Sequence, residues 1–298
     1  MNGKSLRLKG SVAEFLFVVP ALILYLLFVG YPLIGTIVLS LTSWDGVSPL
    51  ADTAFVGLSN YINAFSDKYV LSTLGNTFVY AILSMIFLNV LGLLLAIGLE
   101  QVGRGKNFYR ALFYSPSVLS SIIVGFIFNF LFSGPIADLG SALGISSIAN
   151  NVLGSKDTAL FAAIFVAMWK GAGWYMVIYI AGLQNIDQSL YEAADIDGAT
   201  PWKKFRYVTF PLIAPAFTIN MVLSLERAFK EYDLIFALTG GGPGRASELF
   251  SLTIYNESFV YKHAGYGSAL GMILFVIIVV VTLFQMFVLR RREDDITY

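Results

Sequence analysis

Six stretches of this chain are long and apolar enough to cross a lipid bilayer as helices, and that limits the fold more than any other feature. A spanning helix needs about 20 mostly apolar residues. Such stretches run at roughly 15–39, 73–99, 111–132, 158–183, 207–225 and 266–289. In hydrocarbon every backbone N–H and C=O must be satisfied internally, so a continuous apolar run of this length is a helix. Composition agrees: 57% of the 298 residues are hydrophobic and 13% are charged, where a soluble domain is about half apolar and a quarter charged. The first run is too long for the apolar region of a signal peptide, and no small-residue cleavage site clearly follows it. It is read as a true span. The expectation is an all-α, polytopic membrane protein with six transmembrane helices, forming one domain over residues 1–298.

Lysine and arginine positions set the orientation. One alternating set of connecting segments holds Lys4, Arg7 and Lys9, Arg104, Lys106 and Arg110, Lys203, Lys204 and Arg206, and Arg290, Arg291 and Arg292. The other holds only Lys68, Lys156, Lys230, Arg245 and Lys262, across longer loops. This asymmetry puts both termini in the cytoplasm, and with them the segment between the fourth and fifth stretches. The formal net charge is zero, so no global field gathers nucleic acid. Without cysteine there is no disulfide, thiolate metal site or cysteine nucleophile. The single histidine, His263, argues against histidine zinc sites and serine triads. An intramembrane hydrolase would need a nucleophile–base pair or paired carboxylates inside the spans, and Glu226 and Glu231 have basic neighbours instead. No catalytic and no metal-binding residue is expected.

Between the fourth and fifth stretches the sequence reads LYEAADIDGATPWKKFRYVTFPLIAP, and its polarity interrupts the oil. Ser189 and Glu192 have capping-box spacing, which predicts a helix starting at Leu190. Gly198 supplies a C-terminal stop. Thr200-Pro201 predicts a second start, with Thr as N-cap and Pro in the first turn. Ala193, Ala194 and Ala199 allow a close approach to another surface, while Glu192, Asp195 and Asp197 keep the piece out of lipid and offer partners to basic groups. Pro211 and Pro215 lie inside the next apolar run, where they would bend a membrane helix. The picture is a compact cytoplasmic knob at about 187–206 on a bent span.

EAADIDGA followed after a gap by FPLIAP closely resembles the EAA signature of binding-protein-dependent ABC importer permeases. FVVPALILYLLFVGYPLIGTIVLSLTSWDG, FYRALFYSPSVLSSIIVGFIFNFLF and KEYDLIFALTGGGPG are similar to the first span, the third span, and the end of the fifth span with its outer loop, in the six-span carbohydrate branch. The resemblance covers nearly the whole chain. It implies a type I ABC importer permease (MetI-like) fold in a bacterial or archaeal cell membrane, moving a sugar, an oligosaccharide or a sugar derivative inward. It implies that Glu192, Ala193, Ala194, Asp197 and Gly198 belong to a coupling helix that docks on a cytoplasmic ATPase. The implied partners are a second homologous permease, two ATPase subunits and an extracytoplasmic solute-binding protein. No G-x-x-x-x-G-K-[ST] loop occurs, so this chain needs no cofactor of its own and ATP is bound by partner subunits. TGGGPGRAS is instead read as an external loop facing the solute-binding protein.

Charges inside spans are functional candidates by default. Lys170 lies about a dozen residues, ~18 Å, from the end of the fourth stretch, close to mid-membrane. It sits in WKGAGWY, where Trp169 and Trp174 offer aromatic faces to a sugar ring and Gly171 and Gly173 leave room. Glu226 and Lys230 are four apart, as are Arg227 and Glu231, so each pair can neutralise itself; Glu226 and Lys230 are read as marking the membrane boundary. The resemblance places Ser117, Ser121, Lys170, Gly171, Trp174, Arg227 and Glu231 where maltose-type permeases line the substrate site. Lys170 and Arg227 stand there in place of apolar or aromatic groups, and Glu231 in place of an amide. Lys170 either pairs with Glu231 to hold the path closed or meets an acidic or amino sugar. A gradient-driven secondary transporter, with Lys170 and Glu231 as coupling groups, is the alternative. Asn89, Asn129, Asn220 and Gln285 are read as hydrogen bonds between helices.

Overall fold

The computed structural model describes residues 10–145, 149 and 151–294. The basic residues Lys4, Arg7 and Lys9, and the side chains of Arg290, Arg291 and Arg292, on which half of the orientation argument rests, lie outside the described residues. The described chain is helical. Helix α1 (Gly10–Tyr25) passes through a π-helical turn into α2 (Tyr31–Ser40). Then come α3 (Ser59–Ser66), α4 (Lys68–Glu100), α5 (Lys106–Val118), α6 (Ser121–Ser133) and α7 (Pro135–Leu143). Helix α8 (Ala159–Gln184) is followed by the short α9 (Gln188–Ile196) and α10 (Pro201–Lys204). A π-helical stretch (Phe205–Thr209) and one more turn (Phe210–Leu212) lead into α11 (Ala214–Phe229). The chain ends with α12 (Asp233–Leu238), α13 (Phe250–Tyr255) and α14 (Ala264–Asp294).

Among the described residues, five segments are long and apolar enough to cross a membrane: Phe15–Ser40, Lys68–Glu100, Ser121–Leu143, Ala159–Gln184 and Ala264–Leu289. The sixth is the pair Pro201–Leu212 and Ala214–Phe229, bent by 70°. The bend falls at Ile213, between Pro211 and Pro215, where the missing N–H groups and the ring clash break the ladder. The third span differs from expectation. The stretch at 111–132 is not one helix: Leu119 and Ser120 are extended, with ψ of 143° and 136°, so α5 ends and α6 begins there. Pro116 lies within α5, and Ser117 turns its hydroxyl to the Lys170 carbonyl (2.8 Å), so contacts across helices replace a continuous ladder.

The chain divides into two compact units. The smaller combines the described residues up to Ala64 with Ile254–Ile273. Buried Asn60 donates to the carbonyls of Ser40 (2.9 Å) and Thr42 (2.8 Å), and the Gly265 N–H donates to the Trp44 carbonyl (2.7 Å). The larger, Phe65–Thr253 with the described residues from Leu274, holds the candidate site.

In the larger unit α4 packs along α8. Gly92 admits Tyr175: a Cβ on it would lie 3.1 Å from the Tyr175 Cβ and 3.2 Å from the Met176 nitrogen. Tyr179 donates to Asn89 (2.7 Å), whose amide donates to Ser224 on α11 (2.9 Å). Asn129 donates to the Leu238 carbonyl (2.7 Å), Asn220 to the Tyr175 carbonyl (3.1 Å), and Gln285 reaches the Met85 sulfur (3.6 Å). All four amides thus join helices, as expected. Ala96, Leu99, Met176, Tyr179, Ile180, Ile213 and Ala216 form one apolar cluster, so the bend at Ile213 is clamped between α4 and α8.

Gly173 meets α5 at the closest range: a Cβ there would lie 2.0 Å from the Phe113 carbonyl oxygen. Gly173→Ala is therefore expected to destabilise the helix packing by about 1–3 kcal/mol, the range for overpacking. A thermal unfolding curve in detergent measures it, and an unchanged midpoint would contradict the contact.

Candidate functional site

Two features of the larger unit hold the candidate residues: the polar knob and a polar cavity between the helices. In the knob, Asp187 rather than Ser189 is the N-cap. The Asp187 carboxylate accepts the Ser189 N–H (2.9 Å), so α9 starts at Gln188, two residues earlier than the capping-box reading. That backbone hydrogen bond is the main cause holding the exposed Asp187 carboxyl below its ordinary value of 3.8. The far end follows the glycine rule. Gly198 has φ of +69°, Ala199 N–H donates to the Ala194 carbonyl (2.9 Å) and Gly198 N–H to the Asp195 carbonyl (3.0 Å). These are the two bonds of a Schellman closure. Nothing lies within 4 Å of a Cβ built on Gly198, so its requirement is purely conformational. Thr200 accepts the Lys203 N–H (3.4 Å), with Pro201 in the first turn of α10, as expected.

The knob is fastened to the bent span in two places. Lys204 pairs with Asp195 (2.6 Å) across the glycine turn. Tyr191 and Thr209 share a hydrogen bond (2.9 Å) between α9 and the π-helical stretch before the bend. Neither Tyr191 nor Thr209 stands out in the sequence, because a tyrosine and a threonine eighteen residues apart carry no periodic signal. Glu192, Ala193 and Asp197 are exposed and Ala194 is half-buried. Ile196 was also missed: it is 88% exposed at the end of α9, an isoleucine between two aspartates. The available signal was an apolar side chain inside an acidic run.

The cavity, of about 90 Å³, is lined by Ser121, Lys170, Gly171, Arg227 and Glu231 together with Tyr80 and Tyr175. Five of the seven pathway candidates thus meet in one place. Of the other two, Ser117 donates to the Lys170 carbonyl (2.8 Å), and Trp174 lies under the Arg227 guanidinium, 4.1 Å from its ring centre. The Lys170 ammonium donates to Ser121 (3.0 Å), at the start of α6, and makes no ion pair with Glu231 within 4 Å. Glu231 accepts the Leu234 N–H (3.2 Å), and it does not pair with Arg227, contrary to the spacing argument. Arg227 spends its charge on the Trp174 face instead, a favourable cation–π contact. The glycines do not leave open room: Gly171 faces Leu88 and Gly173 faces Phe113.

Glu226 and Lys230 do form their i,i+4 ion pair, at the end of α11. They line a groove with Phe275, Ile278, Val279, Thr282 and Leu283, the middle of the apolar segment of α14. The sequence reading ended the fifth span at 225; α11 reaches Phe229 and α12 carries the apolar run on, with Leu234, Ile235, Ala237 and Leu238 buried.

With the short helix, the bent span and the polar cavity described, comparison with known proteins decides the family. Residues 88–294 match the model of the binding-protein-dependent transport system inner membrane component. The chain belongs to that family. It is therefore a membrane-spanning permease subunit of an ABC importer, a transport component, and the EAA motif at 192–194 is a general feature of the family. The gradient-driven alternative is set aside. The chain is 33% identical, over 99% of its length and all of the relative's, to the probable starch degradation products transport system permease protein AmyD of Thermoanaerobacterium thermosulfurigenes. It is 34% identical to the multiple sugar-binding transport system permease protein MsmF of Streptococcus mutans, over 93% of this chain and 95% of that one. A chain of a bacterial alginate ABC transporter, crystallised with an alginate pentasaccharide-bound periplasmic protein, superimposes with a TM-score of 0.82 at 22% identity, over 94% of this chain and 95% of that one. That likeness shows the permease fold.

The Asp187 cap gives α9 a pH dependence. A carboxyl whose folded value is depressed stabilises the fold above its unfolded value of 3.8 and loses that contribution as pH falls through the lower folded value. Amide exchange at the start of α9 is expected to be insensitive to pH-induced fraying down to pH 4 and to lose protection below 3.8. In Asp187→Ala the protection should already be low at pH 7; equal protection in both proteins would contradict the cap.

Proposed function

We propose that this permease carries a sugar, an oligosaccharide or a sugar derivative into a bacterial or archaeal cell. It does so with a second homologous permease, two cytoplasmic ATPase subunits that bind the ATP, and an extracytoplasmic solute-binding protein. The observation that carries this reading is the fastening of the knob to the bent span at Tyr191–Thr209 and Asp195–Lys204. Support for the cargo comes from relatives whose names specify starch degradation products and multiple sugars. The binding protein is supported by the structural neighbour bound to its periplasmic protein.

In this account both termini face the cytoplasm and the ATPase grips Glu192, Ala193, Ala194, Asp197 and Gly198, with Ile196 inserted as an apolar anchor. Closure of the ATPase dimer displaces the knob. Because two side-chain contacts tie the knob to the stretch before Ile213, the displacement passes to the bend and then to α11, whose far end bears Arg227. The cavity of about 90 Å³ is too small for a sugar ring in a ligand site of ~300–1,000 Å³, so the structure corresponds to a closed pathway. Lys170 helps to close it by tying the α5–α6 break to α8 through Ser121, and Arg227 covers the Trp174 face on which a sugar would stack.

Two outcomes test this. Glu192→Lys combined with Gly198→Pro should release the ATPase while the second permease still co-purifies, as read by mass spectrometry of the tagged complex. Retention of the ATPase would contradict the coupling role. Lys170→Met should raise substrate leakage in vesicles with sugar preference unchanged, and lost affinity for an anionic sugar without leakage would assign Lys170 to recognition instead.

A further inference from the structure

A groove of about 390 Å³ runs between α5 and α8, both in the larger unit. Its walls are Arg110, Ala111 and Tyr114 from α5 and Trp174, Val177 and Ile178 from α8. Arg110, Tyr114 and Ser117 are spaced i, i+4 and i+7, and Lys170, Trp174 and Ile178 are spaced i, i+4 and i+8, so each set shares one helix face. The Ser117 hydroxyl joins the two faces at the Lys170 carbonyl (2.8 Å), and Gly173 packs on the Phe113 carbonyl beside the groove. Lys170 lines the polar cavity. In the other direction Ile178 lies six residues, ~9 Å, before α8 ends at Gln184 and the knob begins. The groove is therefore on the knob side of the cavity. Trp174 borders both: Arg227 of the cavity lies 4.1 Å over its ring, and the same indole lines the groove.

The groove offers what a sugar ring needs. Tyr114 and Trp174 supply aromatic surface for the C–H face of a pyranose, each with a polar group at its edge. The donors are the Tyr114 hydroxyl, the Trp174 indole N–H and the Arg110 guanidinium. Lys106, one turn earlier on α5, is held by Glu100 (2.5 Å). Arg110 is half-buried, and neither it nor the Tyr114 hydroxyl has an ion-pair or hydrogen-bond partner among the described residues. A guanidinium with unfilled N–H groups beside two aromatic rings matches a ligand rich in oxygen acceptors; an acyl chain has none to give. The volume falls in the ~300–1,000 Å³ range of small-molecule sites, whereas that of the cavity does not. We propose that the groove is a second, release-side sugar subsite, which one ring of the imported sugar occupies after leaving the cavity. The ring lies against Tyr114 and Trp174 and accepts hydrogen bonds from Arg110, while Arg227 on the Trp174 face bars its return. The proposal rests on the importer reading above and adds Arg110 and Tyr114 to the pathway.

The chain has no cysteine, so Val177→Cys places a single thiol in the groove. The test uses the assembled importer in vesicles with the knob side outward, and the mass of this chain reads modification by a small methanethiosulfonate reagent. The probe is whichever sugar the importer accumulates from a mixture of maltotriose, trehalose, arabinotriose and trigalacturonate. Added on the knob side, that sugar is expected to slow modification at least threefold, and sorbitol is not. Arg110→Ala and Tyr114→Leu, each in the Val177→Cys chain, should abolish the protection while the complex keeps its size-exclusion profile. A rate indifferent to the sugar would overturn the proposal, as would protection that survives both substitutions. So would modification that is blocked in lipid vesicles with or without sugar and restored in detergent, which would assign the groove to an acyl chain. Accumulation of none of the four sugars, with the partners still co-purifying, would overturn the sugar reading itself, a failure distinct from that of this site.

Discussion

The close approach of α4 to α8 is the contact on which the larger unit depends. In a bilayer the hydrophobic effect does not drive helices together, so packing and interhelical hydrogen bonds must. Gly92 lets the two backbones approach, and Asn89 then sits where it can take the Tyr179 hydroxyl and pass its own amide to Ser224 on α11. One buried amide thereby fixes three helices. The same approach creates the floor against which Ile213 and Ala216 pack, with Gly182 admitting Ala216 (a Cβ would lie 2.6 Å away). A bend enforced by prolines is thus held in one place by its neighbours.

The bend divides the candidate residues into two sets. The bend lies at Ile213; on one side are Thr209, the knob and the exposed Ile196, and on the other are Ser224, Arg227 and Glu231. Lys170 comes from the fixed helix α8 and reaches Ser121 at the break between α5 and α6. The cavity is consequently bordered by one rigid helix, one interrupted helix and one bent helix. A small rotation about the bend would change the distances among Lys170, Arg227 and Glu231 without disturbing the α4–α8 contact.

Much of this was legible in the sequence, for physical reasons. Apolar length alone gave the spans at 15–39, 73–99, 158–183 and 266–289 to within five residues, and Pro211 with Pro215 gave the bend. Gly198 and Thr200-Pro201 are local rules of backbone conformation, and they held. The failures were all non-local. Ser189 and Asp187 are both competent caps, and only the actual path of the chain into α9 selects Asp187. The break at Leu119–Ser120 depends on Ser117 finding the Lys170 carbonyl 53 residues away. Arg227 and Glu231 have pairing distance along a helix, but α11 ends between them and Trp174 takes the guanidinium.

Transmission from the knob to α11 requires that the knob and the stretch before the bend move as one body. The absence of native cysteine makes that directly measurable. Tyr191→Cys and Thr209→Cys, joined by a cleavable bifunctional reagent matched to the native contact, would lock the knob to the span in the reconstituted importer. The predicted result is ATP-driven uptake unchanged by cross-linking. Uptake that stops on cross-linking and returns on cleavage, with the ATPase still bound, would mean that the knob must move relative to the span, and the transmission described here would be wrong.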